Sequence, residues 1–161
     1  MPWTPWSAVS EAPRPYKIPR SVLVVIHTAA LDVLLIERAD KPGYWQSVTG
    51  SVDVDDEPLD ATAAREVMEE TGIDVAQGVL IDWQQAKVYE IYATWARRYA
   101  PGVTHNTEHV FGLMVPAGTL VVLSPREHLN FDWLPWEAAA ARCFSPSNAE
   151  AIRQLPQRLP A

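Results

Sequence analysis

Between Gly50 and Ile73 the chain compresses a glycine-led loop, a short helix and three clustered glutamates, and no other stretch restricts the fold as much. Its helix has readable ends. Asp56 and Glu57 precede it, Pro58 suits the first helical position, and Gly72 suits the left-handed stop. Between those ends Glu66 and Glu70 are four residues apart, so their carboxylates project from one face, with Glu69 beside them. Arg65 stands four residues before Glu69 and is placed to pair with it. Ala63 and Val67, flanked by Ala64 and Met68, supply the side to be buried against a second layer.

Carboxylates at this spacing repel by roughly a few tenths of a kcal/mol, and the negative end of the helix dipole adds to the cost. A hard divalent cation reverses the sign, because oxygen ligands on one face can share it. An isolated Glu-x-x-x-Glu pair is more often a solvated acidic face. The whole pattern argues otherwise. It resembles the Nudix box, in which a glycine, five residues, a glutamate and seven residues lead into Arg-Glu-apolar-x-Glu-Glu-x-Gly-apolar, and Glu57 to Ile73 fit it throughout. There is one departure. Six residues separate Gly50 from Glu57, and the extra one, lying in a loop, is expected to bulge into solvent.

A chain of 161 residues with 48% hydrophobic content is long enough for one domain with a real core. Its net charge of −7 argues against generic binding of nucleic acid or an anionic membrane. An acidic protein acting on a polyphosphate then needs a metal or local basic residues. The single cysteine, Cys143, has no internal partner for a disulfide, which fits a reducing cytoplasm; its expected role is a small buried apolar residue. No apolar run approaches the roughly 20 residues of a spanning helix, and the N-terminus lacks the pattern of a signal peptide.

Residues 1–19 are dense in proline, with Trp3 and Trp6 among them, and read as an extended arm; residues 20–156 form the domain. Val22–Ile26 is a β-branched run fit for a strand buried on both faces, Val33–Ile36 returns as a second, and Arg38–Gly43 is a polar loop. After the box, Val75–Ile81, Lys87–Trp95, Glu108–Val115, Leu120–Leu123 and Phe131–Leu134 read as strands. The alanine tract Glu137–Cys143 and the segment Ser147–Leu155 read as helices, with Ser145 and its neighbours as a cap. Pattern alone predicts an α/β layered domain with a mixed sheet. The resemblance implies more: a Nudix-type α/β/α sandwich with a loop–helix–loop metal site.

Outside the box, Trp45–Val52, Arg98–Thr104, Asn106–Glu108 and Glu127–Leu129 resemble the branch of the family that cleaves 7,8-dihydroneopterin triphosphate to the monophosphate and pyrophosphate. That resemblance spans about Tyr16 to Ile152. It implies Mg²⁺, with Mn²⁺ as the alternative, held by Glu66, Glu70 and a distant-loop carboxylate, Glu127. It leaves the general base open between Glu69 and Glu127. Gly50 and Arg65 support the site. Lys17, Arg38, Thr49, Tyr89, Glu90, Ile91, Tyr92 and Ser145 are implied to bind the substrate, a pterin triphosphate or a nucleoside triphosphate such as dATP. Lys17 and Arg38 supply phosphate charge, Glu90 accepts from the ring N–H groups, and Tyr89 or Tyr92 offers a flat surface. Arg97, Arg98 and Tyr99 read as a solvated loop rather than a phosphate clamp. The four histidines lack zinc spacing and carry bland roles. Two rival readings remain, a Nudix hydrolase of other nucleotides and a catalytically dead Nudix module. The latter is disfavoured because all three box glutamates are present.

Overall fold

The run after Pro19 becomes β1 (Arg20–His27), buried along nearly its whole length. Because strand side chains alternate between faces, Val22, Val24 and Ile26 enter one apolar core while Leu23 and Val25 enter another on the opposite side. The same division runs through β2 (Asp32–Arg38), with Leu34 and Ile36 on one face and Val33 and Leu35 on the other. The sheet is therefore covered twice. The computed structural model describes residues 15–159. Residues 1–14 of the expected arm, with Trp3 and Trp6, lie outside the described residues.

The remaining strands are β3 (Trp45–Gln46), β4 (Val48–Ser51), β5 (Val79–Glu90), β6 (His105–Met114) and β7 (His128–Pro135). Along the main path the order is β3-β2-β1-β6-β5, with β4 against β1 and β7 against β2. β1 and β6 run parallel and the other pairs antiparallel, so the seven-stranded sheet is mixed. β1 touches β2 only at His27↔Val33. Its other half pairs with β4, from Ser21↔Ser51 to Val24↔Val48. The two central strands thus part, and the wedge between them delivers the chain to Gly50.

Helix α1 (Leu59–Thr71) buries Ala63 and Val67 on one face of the sheet. On the other lie α2 (Trp136–Arg142), α3 (Pro146–Arg153) and α4 (Leu155–Arg158), through Ala139, Ala140, Ala149, Ile152 and Leu155. Alanines at the contact let these short helices sit close to the strands. This is the expected α/β/α sandwich. No described helix is long and apolar enough to cross a membrane.

Several local expectations change. Pro58 is the extended residue before α1 rather than its first residue, whereas Gly72 closes the helix at φ 70° as predicted. Met68 is exposed. Leu120–Leu123 is not a strand: Val122 N–H donates to Thr71 O and Val121 plugs the core, with Leu120 and Val122 turned outward. Val75–Gln77 is a 3-10 turn capped by Asp74, and the strand starts only at Val79. Ala93–Arg98 is a second 3-10 turn, so the strand expected to reach Trp95 ends at Glu90. Asp53 to Asp56 are all exposed, so the lengthened loop does face solvent.

The two sides of the molecule are joined by a buried amide. Ser47 N–H donates to Asn148 Oδ1 (2.8 Å), and Asn148 Nδ2 donates to Ser47 Oγ (2.9 Å), tying α3 to the β3–β4 junction. Asn148→Ala strands a buried N–H, a defect of about 1–3 kcal/mol. It is expected to lower the denaturant midpoint accordingly without altering the slope of the unfolding transition.

Candidate active site

The site begins at Arg65. Its guanidinium donates to Glu57 Oε1 (2.9 Å), Glu66 Oε1 (2.7 Å) and Ser51 O (3.1 Å), and lies 3.2 Å from Asp53 Oδ2. Glu69, the partner expected from helix spacing, is 3.7 Å away and takes the weakest share. Glu57 also accepts from Thr62 Oγ1 and Asp53 N–H, and the Arg65 guanidinium, its strongest partner, holds its carboxyl down at about 2. The loop is thereby fastened to the helix it precedes. Gly50 completes the arrangement, since a Cβ there would lie 2.0 Å from the Glu66 carboxyl carbon. Only glycine lets that carboxylate lie against the loop.

Behind Glu66 stands Glu70, 2% exposed, with Oε2 lacking a hydrogen-bond partner among the described residues. Burial first, then the Glu66 charge, the hydrogen bond the two share and the Glu127 charge all push Glu70 well above the usual carboxylate range. Burial also raises Glu66, opposed by its Glu70 hydrogen bond and by Arg65. Glu127 reaches the same cavity from the turn before β7, where its carbonyl accepts from Ala39 N–H (2.9 Å). His128 is not bland. It is buried, with Nε2 3.5 Å from Glu70 Oε1, and burial pushes it down to about 4, so a neutral imidazole faces Glu70 at pH 7. Among the described residues no three His, Cys, Asp or Glu groups already form a cage. Mg²⁺ keeps several waters and needs only one or two carboxylates, so the orphaned Glu70 oxygen beside Glu66 fits it.

The cavity, about 840 Å³, also carries the opposite charge: Lys17, Arg38, Arg97, Arg98 and Arg126 line it together with Glu66, Glu69, Glu70 and Glu127. Lys17 is lowered from its ordinary value by burial and by Arg98 and Arg38 beside it. An adjoining pocket shares Lys17, Arg38, Thr49, Gly50, Trp95 and Arg98 and runs inward to Tyr89, Ile91, Tyr92, Phe144 and Ser145. Its wall is aromatic, with Tyr92 and Trp95 each 5.9 Å from Phe144 and 5.6 Å from one another between ring centres. The Arg38 guanidinium lies 4.4 Å over the Trp95 ring. Its carboxylate partner Asp40 is drawn down to about 2.

Of the implied substrate residues, Glu90 alone is not brought in; it is exposed at the end of β5 and lines neither cavity. Arg98 lines both, and Tyr99 is buried and bridged to Lys17, so this segment is not simply a solvated loop. Cys143 is half-buried, its thiol pushed up to about 12 by burial. The sequence does not single out Trp95 and Phe144, and it offers Asn106 and Glu108 only within a resembling segment, with no site role; all four line the inner pocket. Trp95 and Phe144 meet across distant segments, which no local pattern signals. Asn106 and Glu108 share one strand face and so carried a faint period-two signal.

The NUDIX domain profile matches residues 17–155. The chain belongs to the NUDIX family. It is 47% identical over 143 residues to the dihydroneopterin triphosphate diphosphatase of Escherichia coli strain K12, covering 87% of this chain and 93% of that protein. The Haemophilus influenzae protein of the same name is 40% identical over 142 residues, with coverages of 86% and 88%. The solved E. coli dihydroneopterin triphosphate pyrophosphohydrolase superposes with a TM-score of 0.83 at 45% identity, covering 91% of this chain and 100% of that one. A Caenorhabditis elegans Ap4A hydrolase superposes at 0.69 with 20% identity, covering 87% and 96%, a likeness of fold alone.

The Arg65–Glu57 pair gives this NUDIX domain a pH signature. A carboxyl held at about 2 when folded, against 4.5 ordinarily, contributes stability that is complete above about 4.5 and lost as the pH falls toward 2. Glu57→Gln is expected to melt below the parent at pH 7, and paired thermal melts should converge as the pH approaches 2.

Proposed function

We propose that this chain hydrolyses 7,8-dihydroneopterin triphosphate to dihydroneopterin monophosphate and pyrophosphate, with Mg²⁺ as its cofactor and nucleoside triphosphates such as dATP as secondary substrates. The observation that carries the reading is the continuity of two cavities: an outer one lined by carboxylates and cations opens into an inner one walled by aromatic rings. A molecule with a polyphosphate at one end and a flat ring system at the other matches that division. The relatives at 40–47% identity over most of both chains bear names with the same substrate. In a reducing cytoplasm such a protein keeps its lone cysteine free.

Cleaving the α–β phosphoanhydride requires neutralised phosphate charge and a deprotonated water, and a bound Mg²⁺ supplies charge neutralisation and a lowered water pKa. Glu66 and Glu70 would hold the cation, with Glu127 reaching in from its turn. Lys17, Arg38 and Arg98 take phosphate oxygens, Arg98 replacing the bland loop residue expected from sequence. Glu69 and Glu127 are the carboxylates available to accept the proton of the attacking water. Thr49 and Ser145 mark the boundary between the phosphates and the ring. Tyr92 stacks with it, and Tyr89 and Ile91 close its edge.

The test is pyrophosphate release by the purified protein with Mg²⁺, measured on dihydroneopterin triphosphate beside a panel of nucleoside triphosphates. The pterin substrate is expected to have the highest kcat/KM; no release of pyrophosphate from it by any preparation would sink the reading. Glu70→Gln is expected to lower that rate at least about a hundredfold. The same change should stabilise the metal-free protein at pH 8 by about 1 kcal/mol. The sign follows from the raised Glu70: the folded state binds its proton more tightly than the unfolded chain, so the ionised group costs stability as the pH rises. The gain should vanish near pH 4, and melts at the two pH values check it.

A further inference from the structure

β6 is a central strand, yet it carries a carboxylate facing inward. Glu108 is 4% exposed and lies between Ser21 on β1 and Lys87 on β5 in the ladder. A buried charge ordinarily finds a cation. Lys87, directly opposite, sends its ammonium to Glu150 instead (2.6 Å), and no described residue forms an ion pair with Glu108. Its one side-chain hydrogen bond among the described residues, from Ser147 Oγ to Oε1, spans 3.5 Å. Burial pushes the carboxyl up to about 7, with no cation to oppose it.

Two positions along the same strand face, Asn106 repeats the theme. Its Nδ2 donates to Ser21 Oγ (2.7 Å) and Tyr89 OH (3.1 Å), while its buried Oδ1 receives no hydrogen bond from any described residue. Both residues line the inner, aromatic-walled pocket. Acceptors without donors, beside a flat apolar wall, are complementary to a heterocycle whose edge carries adjacent N–H groups. A carboxylate takes such a pair of donors in the two-pronged manner in which it takes a guanidinium.

We propose that Glu108, with Asn106 beside it, is the specificity element of this site and reads the ring N–H and exocyclic amine of a 2-amino-4-oxo-pyrimidine edge. The assignment rests on the pterin-triphosphate reading of the site and replaces Glu90 as the carboxylate that meets the ring. Guanine carries the same edge and adenine does not, so the pocket ranks dihydroneopterin triphosphate and dGTP above dATP in its dependence on Glu108.

The deciding experiment separates ring recognition from hydrolysis. Binding of pterin and of lumazine, which has an oxo group in place of the 2-amino group, is measured on the full chain, on Glu108→Gln and on Glu108→Asp. The unmodified protein is expected to prefer pterin at least about tenfold, and Glu108→Gln to bring the two within about threefold of each other. Glu108→Asp, which keeps the charge but withdraws it by one methylene, should retain part of the preference. An unchanged preference in Glu108→Gln, or no preference in the unmodified protein, overturns the proposal. In parallel, kcat/KM for dihydroneopterin triphosphate and dGTP should fall roughly 10- to 100-fold in Glu108→Gln while dATP moves less than about threefold; an equal fall on all three marks a merely structural role and overturns it. Turnover of the pterin triphosphate but not dGTP identifies pterin as the source of the edge. Failure to hydrolyse any triphosphate, with the pterin preference intact and lost in Glu108→Gln, defeats the hydrolase reading but supports the ring site.

Discussion

Arg65 fastens three pieces of chain at a single point. The loop carbonyl of Ser51, the pre-helical Glu57 and the helical Glu66 all accept from one planar guanidinium, which offers its donors in fixed directions. A lysine ammonium also carries three donors, but on one freely rotating nitrogen, so it would not fix the acceptors in a plane as the guanidinium does. The consequence is that the Glu66 carboxylate is oriented before any ligand arrives. Gly50 follows from the same constraint, since the loop lies so near Glu66 that a side chain at that position would occupy the carboxylate's place. The extra residue between Gly50 and Glu57 is tolerated because this fastening acts at both ends of the lengthened segment, while Asp53 to Asp56 between them face solvent.

The sheet supplies the other half of the geometry. β1 leaves β2 after a single pairing and takes β4 as its neighbour, so the loop after β4 starts from the middle of the sheet and not from its edge. Residues on β1, β4 and β6 then become one continuous wall, with the carboxylates of α1 on one side of Gly50 and the aromatic pocket on the other. The Ser47–Asn148 pair holds the C-terminal helices against this junction, which is why Phe144 and Ser145, far along the chain, reach the same pocket.

The sequence made some of this legible and not the rest, and the dividing line is physical. The box helix could be read because its signals are local: the spacing of Glu66 and Glu70, the apolar positions Ala63 and Val67, and Gly72 where a left-handed residue is needed. The family and the layered fold followed from those residues. Helix spacing pairs Arg65 with Glu69, which lies 3.7 Å away, but cannot see Ser51 and Glu57 in the preceding loop, which with Glu66 take the shorter contacts. Leu120–Leu123 has the composition of a strand, but composition says nothing about whether an edge is free to pair with it. Glu90 and Glu108 are the sharpest case. Both are glutamates on strands, and only topology tells that β5 is an edge strand whose last residue faces solvent while β6 is central.

The direction in which each carboxyl is displaced separates framework from site. Glu57 and Asp40 each sit against an arginine and are drawn down to about 2; their charges are satisfied within the protein and serve to hold it together. Glu70 and Glu108 are buried with no ion pair to an arginine or lysine among the described residues and are pushed up, which is a cost that folding alone does not justify. A chain optimised only for stability would replace both with apolar residues or give each an arginine, as it has done for Glu57. That they stand unpaired on opposite sides of Gly50, in cavities that communicate, argues that each is completed from outside. On the reading proposed, a cation completes Glu70 and the donor edge of a ring completes Glu108. One molecule carrying polyphosphate and heterocycle together would then satisfy both ends of the site at once.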